Sequence, residues 1–110
     1  MIFVTGPLYA GKREYIRNAL HLSAVDFAAR VVWDVQELAL GADLSVLAEQ
    51  LSRKDIVIAT ELGGGLVPVD KTEREKREAA GRLACLLAER ADTVVRVCCG
   101  LGQVLKGELP

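Results

Sequence analysis

The chain has 110 residues, of which 51% are hydrophobic and 26% charged, so it suits a single folded domain and excludes a disordered chain. Its 14 Lys and Arg residues against 15 Asp and Glu residues leave a net charge of −1, which argues against nucleic acid as a partner. No apolar stretch approaches the roughly 20 residues that span a bilayer. We therefore expect no membrane association and a cytoplasmic location.

The three cysteines, Cys85, Cys98 and Cys99, form no C-x-x-C pair. Consecutive strand residues point to opposite faces, so Cys98 and Cys99 are poorly placed to share a metal ion. We interpret all three as buried thiols of a reducing compartment.

Four apolar runs without polar alternation predict strands that are buried on both faces, as in parallel sheets covered by helices. Glycines or carboxylates follow these runs, which is where ligands bind in open α/β sheets. The predicted strands are Met1–Thr5, Ala29–Trp33, Ile56–Thr60 and Thr93–Cys99.

Amphipathic segments between these strands predict helices, and the segment 62–68, with three consecutive glycines, predicts a loop. The pattern as a whole favours one small α/β domain over residues 1–110, with a mostly parallel sheet flanked by helices. The predicted helices are Lys12 to about Leu22, a short helix or turn at 35–41, Ser45–Arg53, and a long helix capped by Asp70 or Thr72 and ending near Arg90.

A G-x-x-x-x-G-K motif lies between the first predicted strand and the first predicted helix, as in a phosphate-binding P-loop. With this motif the predicted α/β domain resembles P-loop NTPases. Glycines allow backbone N–H groups to surround a phosphate, the helix N-terminus attracts it, and the lysine neutralises its charge. The alternative is a glycine turn without a ligand. The predicted nucleotide-binding residues are Gly6, Pro7, Leu8, Tyr9, Ala10, Gly11, Lys12 and Arg13.

Arg13 occupies the position at which a P-loop carries the Ser or Thr that holds Mg²⁺. A guanidinium there repels the metal or replaces part of its charge, so we expect ATP or GTP as cofactor and a weakened role for Mg²⁺. Asp34 follows a predicted strand, like the acid that orders Mg²⁺ in such proteins. Glu61 ends the third strand nearby. We predict Lys12, Asp34 and Glu61 as catalytic residues and Asp34 as the candidate Mg²⁺ ligand; the alternatives are a helix cap for Asp34 and a solvated loop-edge residue for Glu61.

From Ile56 onward several segments share their spacing with one enzyme family. The run I-A-T-E-L-G-G-G-L-V-P at 58–68 corresponds to V-S-N-E-V-G-x-G-x-V-P, and Arg74, Arg77 and Gly81-Arg82 fall at matching positions of the next helix. The sequence thus resembles the adenosylcobinamide kinase / adenosylcobinamide-phosphate guanylyltransferase family of cobalamin biosynthesis. The resemblance implies a nucleotide and a corrinoid (cobinamide) as ligands, a kinase-like activity, and homo-oligomers.

Several departures from the family pattern bear on activity. Members carry a longer segment before the strand-end aspartate, with the histidine that accepts GMP, whereas about twenty residues separate Lys12 from Asp34 here. The single histidine, His21, lies in the first predicted helix, where we interpret it as a surface residue. We therefore expect no guanylyltransferase activity and at most feeble kinase activity. The alternative is a non-catalytic regulatory or partner protein derived from this family.

Overall fold

The computed structural model describes residues 1–62 and 70–110. Its strands form a single sheet with helices on both faces, so the predicted mostly parallel α/β fold is confirmed. The predicted loop at 62–68 lies, from Gly63 onward, outside the described residues. The strands are β1 (Ile2–Gly6), β2 (Val31–Val32), β3 (Ile56–Thr60), β4 (Thr93–Cys98) and β5 (Leu101–Lys106).

The strand order is β2-β3-β1-β4-β5, with β1 at the centre. The first four strands are parallel and β5 is antiparallel to β4. Val4 of β1 lies in register with Ile58 of β3 and Val95 of β4. All five residues of β3 are buried, as a strand covered on both faces requires.

The helices divide between the two faces of the sheet. One core contains Ile16 and Leu22 and lies beneath the helices that follow β1. The other contains Val35, Leu51 and Leu87 and lies beneath the remaining helices. Loops leaving β1 and β3 therefore lead to opposite faces, which leaves a crevice at the carboxyl ends of these two strands. The helices are α1 (Lys12–Ala19), α2 (Ala24–Arg30), a 3₁₀ helix (Val35–Leu38), α3 (Leu44–Ser52) and α4 (Lys71–Arg90).

Asp70 begins α4: its Oδ1 accepts a 2.7 Å hydrogen bond from the backbone N–H of Thr72, so Asp70 is the cap of the two predicted candidates. The charged first turns of α4 are largely exposed, and Leu83 and Leu87 are buried one turn apart. Although α4 has 20 residues, no helix in residues 1–62 and 70–110 combines the length and apolar character of a membrane span.

The second predicted strand, Ala29–Trp33, is too long at both ends. The first predicted helix extends past Ala19, where α1 ends. Residues 24–30 form α2, because the Ser23 Oγ caps it by accepting a hydrogen bond from the Asp26 N–H at 3.0 Å. Ala29 and Arg30 continue that helix, consistent with their good helix propensity. The strand that remains is Val31–Val32. The other predicted strand bounds agree within one residue.

Strand β5 was not predicted from the sequence: the last predicted strand was Thr93–Cys99. Cys99 and Gly100 have φ angles of 54° and 73°, so a two-residue turn with both φ angles positive joins β4 to β5. The turn pairs Cys98 with Leu101. Cysteine is an unusual first residue for such a turn, which is why the hairpin signal is weak in the sequence.

Candidate functional site

The glycine loop, residues 6–12, leaves the end of β1 and enters α1. Gly11, with φ 84°, directly precedes the helix, and Ala10, the loop residue before it, is buried. The Ala10 carbonyl accepts a 2.9 Å hydrogen bond from the Gly100 N–H, so the β4–β5 turn supports the loop from below. Leu8 and Tyr9 are largely exposed at its tip. The loop is therefore fixed at its base and open at its tip.

Gly6 requires glycine for a reason that lies in the sheet itself. A Cβ atom at this position would overlap the carbonyl oxygen of Val97 on β4, and its φ of +155° is disfavoured for other residues. The first glycine of the motif is thus set by the packing of β1 against β4, whatever the loop binds.

Lys12 is a buried cation at the start of α1, with only 8% of its surface exposed. Its Nζ donates a 2.7 Å hydrogen bond to the carbonyl oxygen of Pro7, across the loop. Burial lowers the pKa of Lys12, the carboxylates of Asp34 and Glu61 raise it, and the charge of Arg13 lowers it. The first of the predicted catalytic residues therefore lies within electrostatic range of the other two.

Arg13 points to an aromatic pair beside the loop. Its guanidinium carbon lies 5.8 Å from the centroid of the Trp33 ring, within range of a cation–π contact. The Trp33 ring in turn lies 5.5 Å from that of Phe27 on α2. The residue at the position of the P-loop hydroxyl is thus held by a side chain that immediately precedes Asp34.

A cleft of about 450 Å³ opens above the glycine loop. Lys12, Asp34 and the carboxyl end of β3 all line it. This agrees with the expectation that residues following parallel strands meet at one edge of the sheet. Its lining residues are Leu8, Tyr9, Ala10, Gly11, Lys12, Arg13, Glu14, Asp34, Ile58 and Thr60.

Asp34 is held by a buried amide rather than serving as a helix cap. Its side chain makes no cap hydrogen bond to the 3₁₀ helix that follows. Instead its Oδ1 accepts a long hydrogen bond, 3.4 Å, from the Nε2 of Gln36, and the Gln36 Oε1 accepts a 2.9 Å bond from the backbone N–H of Thr60. Gln36 therefore ties Asp34 to the end of β3.

Glu61 is engaged by an arginine, contrary to the simple alternative of a solvated loop-edge residue. Its Oε1 accepts from the Nε of Arg96 at 2.8 Å and its Oε2 from Nη2 at 3.0 Å. The hydrogen bonds and charge of Glu61 raise the pKa of Arg96. The Glu61 N–H also donates to the Gly6 carbonyl at 2.8 Å. Both carboxylate oxygens of Glu61 thus already have a cationic partner.

The residues of the cleft do not fit a magnesium ion. Mg²⁺ prefers octahedral oxygen ligands and is held by one or two carboxylates besides phosphates. Here Arg13 stands in place of the hydroxyl ligand, Arg96 holds Glu61, and the Lys12 ammonium lies close to Asp34. Within residues 1–62 and 70–110, no group of three or more His, Cys, Asp or Glu side chains could hold a metal ion.

His21 lies away from the glycine loop, beyond the other end of α1. The eight residues of α1 span about 12 Å at 1.5 Å per residue. His21 is exposed and lines a separate cleft of about 560 Å³ with Glu14, Arg17, Asn18 and Leu22. The fold does not bring this histidine to the other candidate residues.

The prediction that the cysteines are buried is wrong, because Cys85, Cys98 and Cys99 are all exposed. Cys85 lies on the outward side of α4, next to the buried stripe that contains Leu83 and Leu87. Cys98 is the last residue of β4, and Cys99 is the first residue of the turn that supports the glycine loop.

Three residues of this region were not predicted from the sequence: Gln36, Trp33 and Arg96. A signal existed for Gln36, which is a polar residue in a short segment whose neighbours Val35 and Ala39 are buried. Arg96 interrupts the otherwise apolar run of β4, so a polar partner could have been expected for it. Trp33 offered a weaker signal, since it was assigned to a buried strand.

The fold and the cleft define an α/β protein with a candidate phosphate-binding loop at the end of its central strand. The model of the family described as cobinamide kinase / cobinamide phosphate guanyltransferase matches residues 35–105, more than half of the chain. The chain belongs to this family, as the resemblance predicted. No curated protein matches it significantly. Glu61, Gln36 and Arg96 lie inside the matched segment, whereas the glycine loop and Asp34 precede it.

Proposed function

We propose that the chain binds the phosphates of ATP or GTP at the glycine loop, as a nucleotide-binding relative of the cobinamide kinases. The observation that carries this proposal is the buried Lys12 at the N-terminus of α1. Its ammonium donates a hydrogen bond across the loop to the carbonyl oxygen of Pro7. Burying an ammonium is unfavourable unless a partner compensates it. The neutral carbonyl of Pro7 accepts one hydrogen bond from it, and an anionic ligand, also attracted by the helix N-terminus, adds a charged partner.

A corrinoid, cobinamide in the family's reactions, is the proposed second ligand. Membership of the family supports it, and Glu61 at the end of β3 lies in the matched segment. In this proposal Asp34 and Glu61 position the acceptor hydroxyl beside the nucleotide phosphates. The self-association proposed for the chain rests on the same family relationship.

Guanylyl transfer is not part of the proposed function. That reaction uses a histidine nucleophile, which must lie beside the nucleotide. His21 lies at the opposite end of α1 from Lys12, about 12 Å away by the length of the helix. We expect no covalent GMP intermediate on this chain.

A non-catalytic regulatory or partner protein is the second candidate function. The contact of Arg13 with Trp33 favours it, because the arginine replaces a group that anchors Mg²⁺ in phosphoryl transfer. Such a change can preserve nucleotide binding while phosphoryl transfer is lost.

Binding and turnover measured side by side distinguish these functions. The purified chain is titrated with ATP and GTP by calorimetry, then incubated with each nucleotide and cobinamide, with and without Mg²⁺. Binding with slow phosphorylation supports the kinase-type function, and binding without phosphorylation supports the regulatory one. Failure of both nucleotides to bind would refute the proposal and favour an empty glycine turn.

A further inference from the structure

Arg13, which occupies the position of the magnesium ligand, lies at the edge of the cleft. The guanidinium of Arg13 lies over the Trp33 ring at 5.8 Å, and both side chains are exposed. Cation–π contacts at exposed sites are weak. A phosphate offers the guanidinium two charge-assisted hydrogen bonds, which are stronger. Arg13 can therefore exchange its aromatic partner for a phosphate at little cost.

The two cations of the cleft lie side by side at the start of α1, where the glycine loop ends. Lys12 and Arg13 contribute two cations to the lining of the cleft, and Glu14 and Asp34 contribute two carboxylates, of which Asp34 already accepts a hydrogen bond from Gln36. Both carboxylate oxygens of the nearby Glu61 accept hydrogen bonds from Arg96. A divalent ion at the position of the P-loop hydroxyl ligand would meet the Arg13 guanidinium, whereas polyphosphate oxygens would be attracted to Lys12 and Arg13.

We infer that this site takes the uncomplexed nucleoside polyphosphate rather than its magnesium complex, with Arg13 as the specificity-determining residue. The inference rests on the proposed nucleotide binding. Arg13 leaves Trp33, and its planar guanidinium pairs with phosphate oxygens next to the Lys12 ammonium. The Arg13 guanidinium thus supplies the positive charge that a magnesium ion supplies at other nucleotide sites.

The movement of Arg13 has its own spectroscopic signal. Trp33 is the only tryptophan of the chain, so intrinsic tryptophan fluorescence reports on this ring alone. Loss of the guanidinium from its face changes the environment of the ring. Binding of uncomplexed nucleotide should therefore alter the fluorescence of the wild-type chain.

The test compares ATP titrations of the full chain in excess EDTA and in excess Mg²⁺, followed by calorimetry and Trp33 fluorescence. The wild-type chain should bind ATP in EDTA at least as tightly as in Mg²⁺. Arg13→Ser should lose about tenfold or more of its affinity in EDTA, as expected for a lost charge-assisted contact. Arg53→Ser, at the exposed residue that follows α3, is the matched control and should behave as wild type.

Three results would overturn the inference. Wild-type affinity that is tenfold or more higher in Mg²⁺ than in EDTA would contradict it while leaving the proposed nucleotide binding intact. Unchanged affinity of a folded Arg13→Ser variant in EDTA would also contradict it. Absence of ATP binding in both media would refute the proposed function and this inference with it. The wild-type comparison stands even if the Arg13→Ser variant does not fold.

Discussion

Arg96 on β4 and Glu61 after β3 form a two-contact ion pair across the central strand β1, at 2.8 and 3.0 Å. Thr5 of β1 lies in register between them, paired with Arg96 on one side and with Ala59 on the other. The pair therefore spans the point where the chain leaves the sheet for the glycine loop. It also neutralises a carboxylate close to Lys12.

Replacing Arg96 by Leu should weaken nucleotide binding more than it weakens the fold. The pair is exposed, so it contributes little to stability. Its loss, however, leaves an unpaired Glu61 carboxylate near the proposed phosphate site. The double variant Arg96→Leu with Glu61→Gln removes that charge and should recover affinity in calorimetry. Equal losses in the single and double variants would argue against this role.

Gln36→Ala should destabilise the fold by about 1–3 kcal/mol, because it removes the acceptor of the hydrogen bond that the buried Thr60 N–H donates. Urea unfolding monitored by circular dichroism measures the change. Gln50→Ala, an exposed glutamine on α3, is the control and should stay within about 0.5 kcal/mol of wild type. If both variants unfold at the same urea concentration, Gln36 does not tie the 3₁₀ helix to β3 as described.

Gly6→Ala should destabilise the chain by about 3 kcal/mol even without any ligand, since a Cβ there overlaps the Val97 carbonyl oxygen. Gly81→Ala is the control: Gly81 lies in exposed helix with open space around it, so alanine should stabilise α4 by about 0.5–1 kcal/mol. Thermal unfolding of both variants gives the comparison. A stable Gly6→Ala variant would mean that β1 and β4 pack differently.

Incubation with radiolabelled GTP should produce no acid-labile protein adduct. The reason is the position of His21 beyond the C-terminal end of α1, remote from Lys12. A His21→Asn variant should therefore match wild type in every nucleotide measurement. A labelled wild-type chain that loses its label in this variant would assign guanylyl transfer to His21.

The sequence is sufficient to predict the parallel core, because runs such as Ile56–Thr60 are apolar without alternation and only a covered strand buries both faces. It also predicts the convergence of Lys12 and Asp34, which follows from strand direction alone. It does not predict partners that depend on side-chain direction across the sheet. The Arg96–Glu61 pair joins residues 35 positions apart, and the Arg13–Trp33 contact depends on where the unpredicted α2 ends.

The pKa of Lys12 links the proposed site to stability. Burial lowers this pKa in the folded chain, so the folded state disfavours the ammonium form. This cost is fully present below the lowered pKa and disappears as pH rises toward the pKa of the unfolded chain. Lys12→Met should therefore unfold no more easily than wild type at neutral pH, while its affinity for nucleotide falls. A marked loss of stability would indicate that the hydrogen bond to Pro7 outweighs the cost of burial.

The most direct test of the account is a calorimetric titration of ATP and GTP into wild type, Lys12→Met and the exposed control Lys54→Met. We expect wild type and Lys54→Met to bind with equal affinity, and Lys12→Met to lose at least about tenfold, the effect of one lost charge-assisted contact. Equal affinity in all three proteins, or no binding by wild type, would contradict phosphate binding at the glycine loop.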